Sequence, residues 1–267
     1  LGNSFEKVFI GNAGSAGGAS LDITEVFSTY LYAGNNSTQT ITNGIDLTEG
    51  GLVWLKSRTS GTVSHQLFDT ERGAALRLRC DTTLGQSSDV DTLTAFNTNG
   101  FNLGDDSETN ASGQDYASWT FRKAPKFFDV VTYTGTGSAQ TIAHNLGCDV
   151  GMLVVKNLTE GNWGVFHRSE GTSKYGLLHD NLSFQTDEAN AWNGTAPTDA
   201  VFSVGASNAT NVSNGPFIAY VFAHNNNDGE FGPDSDQDII KCGSYAQDYD
   251  GAEVNLGFEP QWILLKA

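Results

Sequence analysis

The chain has few of the residues that hold small proteins together by covalent or metal staples. Its 267 residues include only three cysteines, Cys80, Cys148 and Cys242. Their odd number and lack of CxxC spacing argue against a disulfide framework or zinc site and for reduced, partly buried thiols. Basic residues are also scarce: 14 Lys and Arg against 31 Asp and Glu leave a formal charge of −17. That charge repels phosphate backbones and anionic lipid, so nucleic-acid partners are not expected. No apolar run approaches the ~18 residues of a membrane span, and no membrane insertion is expected. The apolar i, i+3, i+4, i+7 pattern of an amphipathic helix is missing, so helix should be nearly absent. The signatures GxSxG, HExxH, GxxxxGK[ST] and GxGxxG do not occur; Ala13-Gly-Ser-Ala-Gly17 has alanine where a nucleophile elbow needs glycine.

What the chain does have is glycine, 31 residues against 5 prolines, with Asn, Asp, Ser and Thr between short apolar runs. That is the composition of an all-β protein rich in turns. One stretch also occurs three times. Tyr133-Thr-Gly-Thr-Gly-Ser-Ala-Gln-Thr-Ile142, followed by Met152-Leu-Val-Val-Lys156, answers to Tyr32 through Ile41 followed by Gly51-Leu-Val-Trp-Leu-Lys56. A later copy runs from Tyr245 to Val254 and then from Asn255 to Lys266. The first two copies stay in register over about 100 residues: Phe68 and Gly73 match Phe166 and Gly171, while Trp119 and Phe121 match Tyr220 and Phe222.

This pattern predicts two tandem antiparallel β-sandwich or jelly-roll-like units, residues 26–126 and 127–225. A flexible Gly-rich connector, residues 1–25, should precede them. An acidic linker, residues 226–238, should lead to the first hairpin and core strand of an incomplete third unit, residues 239–267, whose remainder would lie beyond Ala267. Phe27–Tyr32 and Thr38–Thr42 read as a hairpin around Gly34-Asn35-Asn36. Leu52-Val-Trp-Leu55 and Leu153-Val-Val155 lack alternation, as strands covered on both faces do, with Lys56 emerging into solvent. Arg122-Lys-Ala-Pro-Lys126, at the seam between units, reads as a solvated linker.

Catalytic candidates are weak. Five histidines are present, but His144 and His167 match Asn43 and Asp69 of the other copy, and neither has a partner motif. Acidic pairs such as Asp105-Asp106 and Asp187-Glu188, and Glu230, fall in polar loops, so no hydrolysis is expected and the chain is read as a non-enzyme. The strongest metal candidate is Asp234, Asp236 and Asp238, whose alternate spacing resembles half of a calcium cage, although the central glycine and closing glutamate of an EF-hand are missing. Trp163 and Trp192 lie in Gly/Asn-rich segments where an indole could stack on a sugar. Asn-x-Ser/Thr triplets, including those at Asn110 and Asn211, read as loop chemistry.

Several motifs carry a resemblance: Leu67-Phe-Asp-Thr-Glu-Arg-Gly73, Ala117-Ser-Trp-Thr-Phe-Arg-Lys-Ala-Pro-Lys-Phe-Phe-Asp129, Ile218-Ala-Tyr-Val-Phe-Ala-His224 and Leu256-Gly-Phe-Glu-Pro-Gln-Trp262. With Phe27–Tyr32 and Gly51–Lys56, they resemble a repeat family of marine, cyanophage-like bacteriophage proteins that are tail-fibre-like and of unassigned function. The resemblance implies a virion component, a tail fibre or tail-associated protein that contributes to host-surface attachment. It also implies homo-oligomerisation, other virion proteins as partners, and a host-surface glycan or protein as target. It implies no catalytic residue and no cofactor. The alternatives are a capsid decoration or head-fibre protein and a carbohydrate-binding or carbohydrate-cleaving module.

Overall fold

The computed structural model describes residues 20–187, 190–246 and 251–266. Strand accounts for 38% of the chain and helix for 5%, so the fold is all-β and the expected scarcity of helix holds. A one-turn helix α1 (Ile23–Val26) precedes β1 (Phe27–Ala33), β2 (Gln39–Thr42), β3 (Gly51–Ser57), β4 (Gln66–Asp69), β5 (Leu76–Arg79), β6 (Ser87–Ser88), β7 (Leu93–Asn97), β8 (Gly100–Leu103) and β9 (Asp115–Arg122). The second half continues with β10 (Phe128–Thr134), β11 (Gln140–Ala143), β12 (Val150–Asn157), β13 (Trp163–His167), β14 (Lys174–Leu177), β15 (Gln185–Thr186), β16 (Val201–Val204), the one-turn helix α2 (Asn208–Asn211) and β17 (Pro216–Ala223). The large sheets have matching orders, β1-β9-β3-β4-β5-β6 and β10-β17-β12-β13-β14-β15. Each is backed by a small sheet, β2-β8-β7 in the first half and β11-β16 in the second.

The expected hairpin of β1 and β2 does not form. β1 pairs with β9 in the large sheet, whereas β2 pairs with β8 in the small one, so the Gly34-Asn35-Asn36 segment is a corner that carries the chain from one layer to the other. The corner is fixed from inside by the buried Asn110. Its Nδ2 donates to Ser37 O and Gly104 O, both at 2.6 Å, and its Oδ1 accepts from Asn35 N at 3.0 Å and Gln39 Nε2 at 2.6 Å. The second half repeats the device with Asn211, which donates to Ser138 O and Gly205 O and accepts from Thr136 N and Gln140 Nε2. Tyr32 and Tyr133 complete the match, donating through Oη to Thr109 O and Thr210 O respectively. Glycine is required at Gly34 and Gly135, where a Cβ would run into the carbonyls of Ala111 and Val212.

The unalternating strands are covered twice. On β12, Leu153 and Val155 enter the core between the second half's two sheets, while Val154 points the other way; all three are buried. On β3, Val53 and Leu55 face the first half's own core and Leu52 and Trp54 face outward. Those outward faces meet in a third, central core, where Phe121 lies 5.6 Å from both Phe128 and Phe222 between ring centroids. Four sheets are thus layered, and the large sheets of the two halves share one interior.

The regions expected to be loose are tied into that interior. Residues 1–19 lie outside the described part, but Ser20–Glu25 is anchored: Ser20 Oγ donates to Gly232 O, and Asp22 and Glu25 form a capping box on α1. The basic joint is no solvated linker. Ala124 is buried, Lys123 pairs with Glu71 at 2.8 Å and Asp129 at 3.2 Å, and Lys126 pairs with Glu230 at 2.8 Å. The acidic segment 226–238 folds back because it contains one large apolar group, Phe231, which inserts into the central core. Beyond it, the described residues of 239–266 form no strand. Ile239, Ile240 and Trp262 instead pack against the central core, with Trp262 5.3 Å from Phe121 and 6.1 Å from Trp54 between ring centroids. Residues 247–250 of the expected third hairpin lie outside the described part, and among the described residues of 251–266 the expected core strand finds no neighbouring strand to supply its backbone hydrogen bonds.

Candidate functional site

The two tryptophans offered as sugar platforms are not at the surface. Trp163 is fully buried at the seam between the halves, and its Nε1 donates to Arg79 O at 3.2 Å and Thr82 O at 3.0 Å. Trp192 is equally buried, packs on Phe166, and donates to Lys174 O. Both indoles satisfy their N–H internally, as buried indoles must, so neither can stack on a ligand. The calcium candidate does not assemble either. Asp234 and Asp236 are exposed, while Asp238 turns inward to accept from Asn227 N at 2.9 Å and Gly229 N at 3.0 Å. No group of three or more His, Cys, Asp or Glu side chains converges among the described residues. Of the loop carboxylates, Asp105 and Glu230 are exposed, and Glu188 lies outside the described residues. Asp106 and Asp187 are half-buried, Asp106 accepting from Glu108 N and Thr109 N and Asp187 from Ala191 N and Trp192 N. These two act as turn caps.

The seam carries the most unusual electrostatics. Tyr220 Oη donates to Asp69 Oδ2 at 2.8 Å across the halves, and Arg72 Nε reaches the same oxygen at 2.6 Å. Burial, reinforced by the Asp69 charge, pushes the Tyr220 phenol well above its usual range. Lys56, expected to emerge into solvent, is half-buried with its Nζ on the carbonyls of its own loop, and its counterpart Lys156 is fully buried. Its Nζ donates to the carbonyls of Asn157 at 2.8 Å, Gly161 at 2.9 Å and, across the seam, Thr83 at 3.3 Å. Burial lowers this ammonium to about 8. These groups are saturated with one another and leave no room for substrate. The thiols are likewise inert: burial pushes Cys148 and Cys242 up to about 12, far from the thiolate needed for nucleophilic chemistry.

The exposed feature with ligand-like shape lies in the second half. A cleft of about 460 Å³ is floored by Val150 and Phe166 and walled by Ala196 and Pro197. At its mouth stand Asp149, Arg168, Ser169 and Thr172. Asp149 and Arg168 are 3.6 Å apart, too loose for a hydrogen bond, with side chains 69% and 35% exposed. Behind them His224 donates its backbone N–H to Asp149 O, and its Nδ1 accepts from Cys242 N at 3.1 Å. Burial and then the Arg168 charge lower the His224 pKa. The cleft has a local cause. In the first half β7 begins at Leu93 as the third strand of the small sheet, whereas in the second half Trp192 is followed by Asn193 and Gly194, both at positive φ, and then by Pro197. Proline has no N–H to pair. No strand forms there, and the loop that replaces β7 walls the cleft. Sequence reading passed over Asp149 and Arg168 because neither belongs to a motif; the readable signal was the loss of strand character after Trp192.

No curated protein and no solved structure matches the chain. One family signature matches residues 22–267, running through both halves, the acidic loop and the C-terminal segment. The chain therefore belongs to the family described as a domain of unknown function, DUF7483.

Proposed function

We propose that the protein is a structural component of a bacteriophage virion, tail fibre or tail-associated, that contributes to host-surface attachment and works as a homo-oligomer among other virion proteins. The observation that carries this reading is the shared central core. Aromatic rings from both halves, with Phe231 and Trp262, fill one interior, so both sandwiches form one stiff body rather than beads on a linker. Stiffness along a repeated β framework, with acidic polar loops outside, suits a spacer that holds a binding surface away from a particle. The motif resemblance to marine phage proteins points the same way. Immunogold labelling of intact virions with antibodies to this chain tests it. Label along the tail is the expected result, label distributed over capsomers would favour the decoration-protein alternative, and its absence from purified virions would refute a virion role.

A further inference from the structure

We propose that the cleft between the β13–β14 turn and the loop 193–199 is a saccharide-binding site that takes a neutral pyranose. The proposal rests on the attachment reading for its biological meaning, but the binding itself does not depend on it. At about 460 Å³ the cleft falls within the ~300–1,000 Å³ typical of small-molecule sites. Its composition is divided as a sugar's is, since a pyranose has an apolar face of C–H bonds and an edge of hydroxyls. Ala196 and Pro197 offer accessible apolar surface, with Val150 and Phe166 buried beneath it at 6% and 3% exposed. Asp149 can accept from two neighbouring hydroxyls, and the Arg168 guanidinium can donate to a hydroxyl or ring oxygen.

Among the described residues these polar groups are not engaged elsewhere. The Asp149 carboxylate and the Arg168 guanidinium have only their loose contact with each other. The first half has no such pair at the matching place. Thr70 N donates to Gly51 O as Arg168 N does to Gly151 O, and Lys123 N donates to Gly50 O as His224 N does to Asp149 O, so Gly50 and Thr70 stand where the second half has Asp149 and Arg168. Only the second half keeps a charged donor and acceptor at this edge. The sign of the charge narrows the class. Asp149 at the mouth of a chain of formal charge −17 disfavours sulfated or polyanionic glycans, whereas neutral hydroxyls meet both a donor and an acceptor.

The test is titration of the full chain with methyl glycosides of glucose, galactose, mannose and N-acetylglucosamine, followed by calorimetry or saturation-transfer NMR. Glucuronic acid and inorganic phosphate serve as anionic arms. At least one neutral pyranoside should bind at millimolar or tighter Kd, and Asp149→Asn and Arg168→Ala should each weaken it by about tenfold or more. Ala196→Trp, a substitution at an exposed position that fills the cleft, should abolish it without lowering Tm. No neutral pyranoside binding up to about 10 mM, binding that survives all three substitutions, or binding confined to the anionic arms would overturn the proposal. Virion labelling is read independently, so either hypothesis can fail while the other stands.

Discussion

The two halves share a strand order and a corner device, yet they differ at the same topological position. From Leu93 the first half runs on as β7 and completes its small sheet with three strands; after Trp192 the second half turns away and leaves two. Where the second half places Asp149 and Arg168 at an open mouth, the first has Gly50 and Thr70. Features present in both copies, such as Asn110 and Asn211 or Tyr32 and Tyr133, are what the architecture requires. Features present in one copy are where the halves differ: the first half's Asp69 receives the seam hydrogen bond from Tyr220, and the second half's cleft faces solvent.

The sharpest way to break this comparison is at the shared interior. Val154 lies on the central-core face of β12 and is 3% exposed. Val154→Asp puts a carboxylate among aromatic and aliphatic groups with no partner, and should cost about 4 kcal/mol or more. In urea titration the variant should be unfolded or strongly destabilised. A midpoint equal to wild type would mean that the halves do not pack as one body.

Next in size are the corner asparagines, which test whether the shared device has equal weight in both halves. Asn110→Ala removes five side-chain hydrogen bonds and Asn211→Ala four, and each strands the carbonyls and N–H groups it served. Each should destabilise by about 3 kcal/mol, readable as a fall in Tm. Nearly equal losses would support one architecture used twice. A loss confined to one variant would show that the other half's corner is held by something else.

These cases also show what could be read from the sequence. The buried strands were legible because covering on both faces removes the alternation, as Leu153-Val-Val155 shows, but what did the covering was not. Periodicity reports that Val154 is buried, not that its neighbours come from the other half. Gly34-Asn35-Asn36 has turn chemistry that serves a hairpin and a corner equally well, and only the distant Asn110 decides between them. Gly/Asn-rich surroundings, as at Trp163 and Trp192, signal loops without indicating which way an indole faces. The cleft left almost no trace, since Asp149 and Arg168 come from separate segments and acquire a relation only when β7 has no equivalent.

The smallest expected effect separates the two lysines at the ends of β3 and β12. Lys156 has a folded-state value of about 8 against 10.5 for the free side chain. Between those limits the unfolded chain binds more protons than the folded one, so stability should rise with pH across roughly 8 to 10 and stay at its lower level below 8. The rise should be about 2 kcal/mol, allowing for the other groups that titrate near the top of that window. In Lys156→Met this rise should vanish, whatever the substitution costs at pH 7, because the titrating group has gone while the rest of the chain is unchanged. Lys56→Met should keep the rise, since Lys56 is only half-buried and donates to the carbonyls of Ser60 and Val63 within its own loop. Urea midpoints at pH 7.5, 8.5 and 9.5 for the three proteins would decide it. An identical pH profile in wild type and Lys156→Met would mean that the ammonium is hydrated, and that the seam is open to water at the point where Thr83 O approaches it.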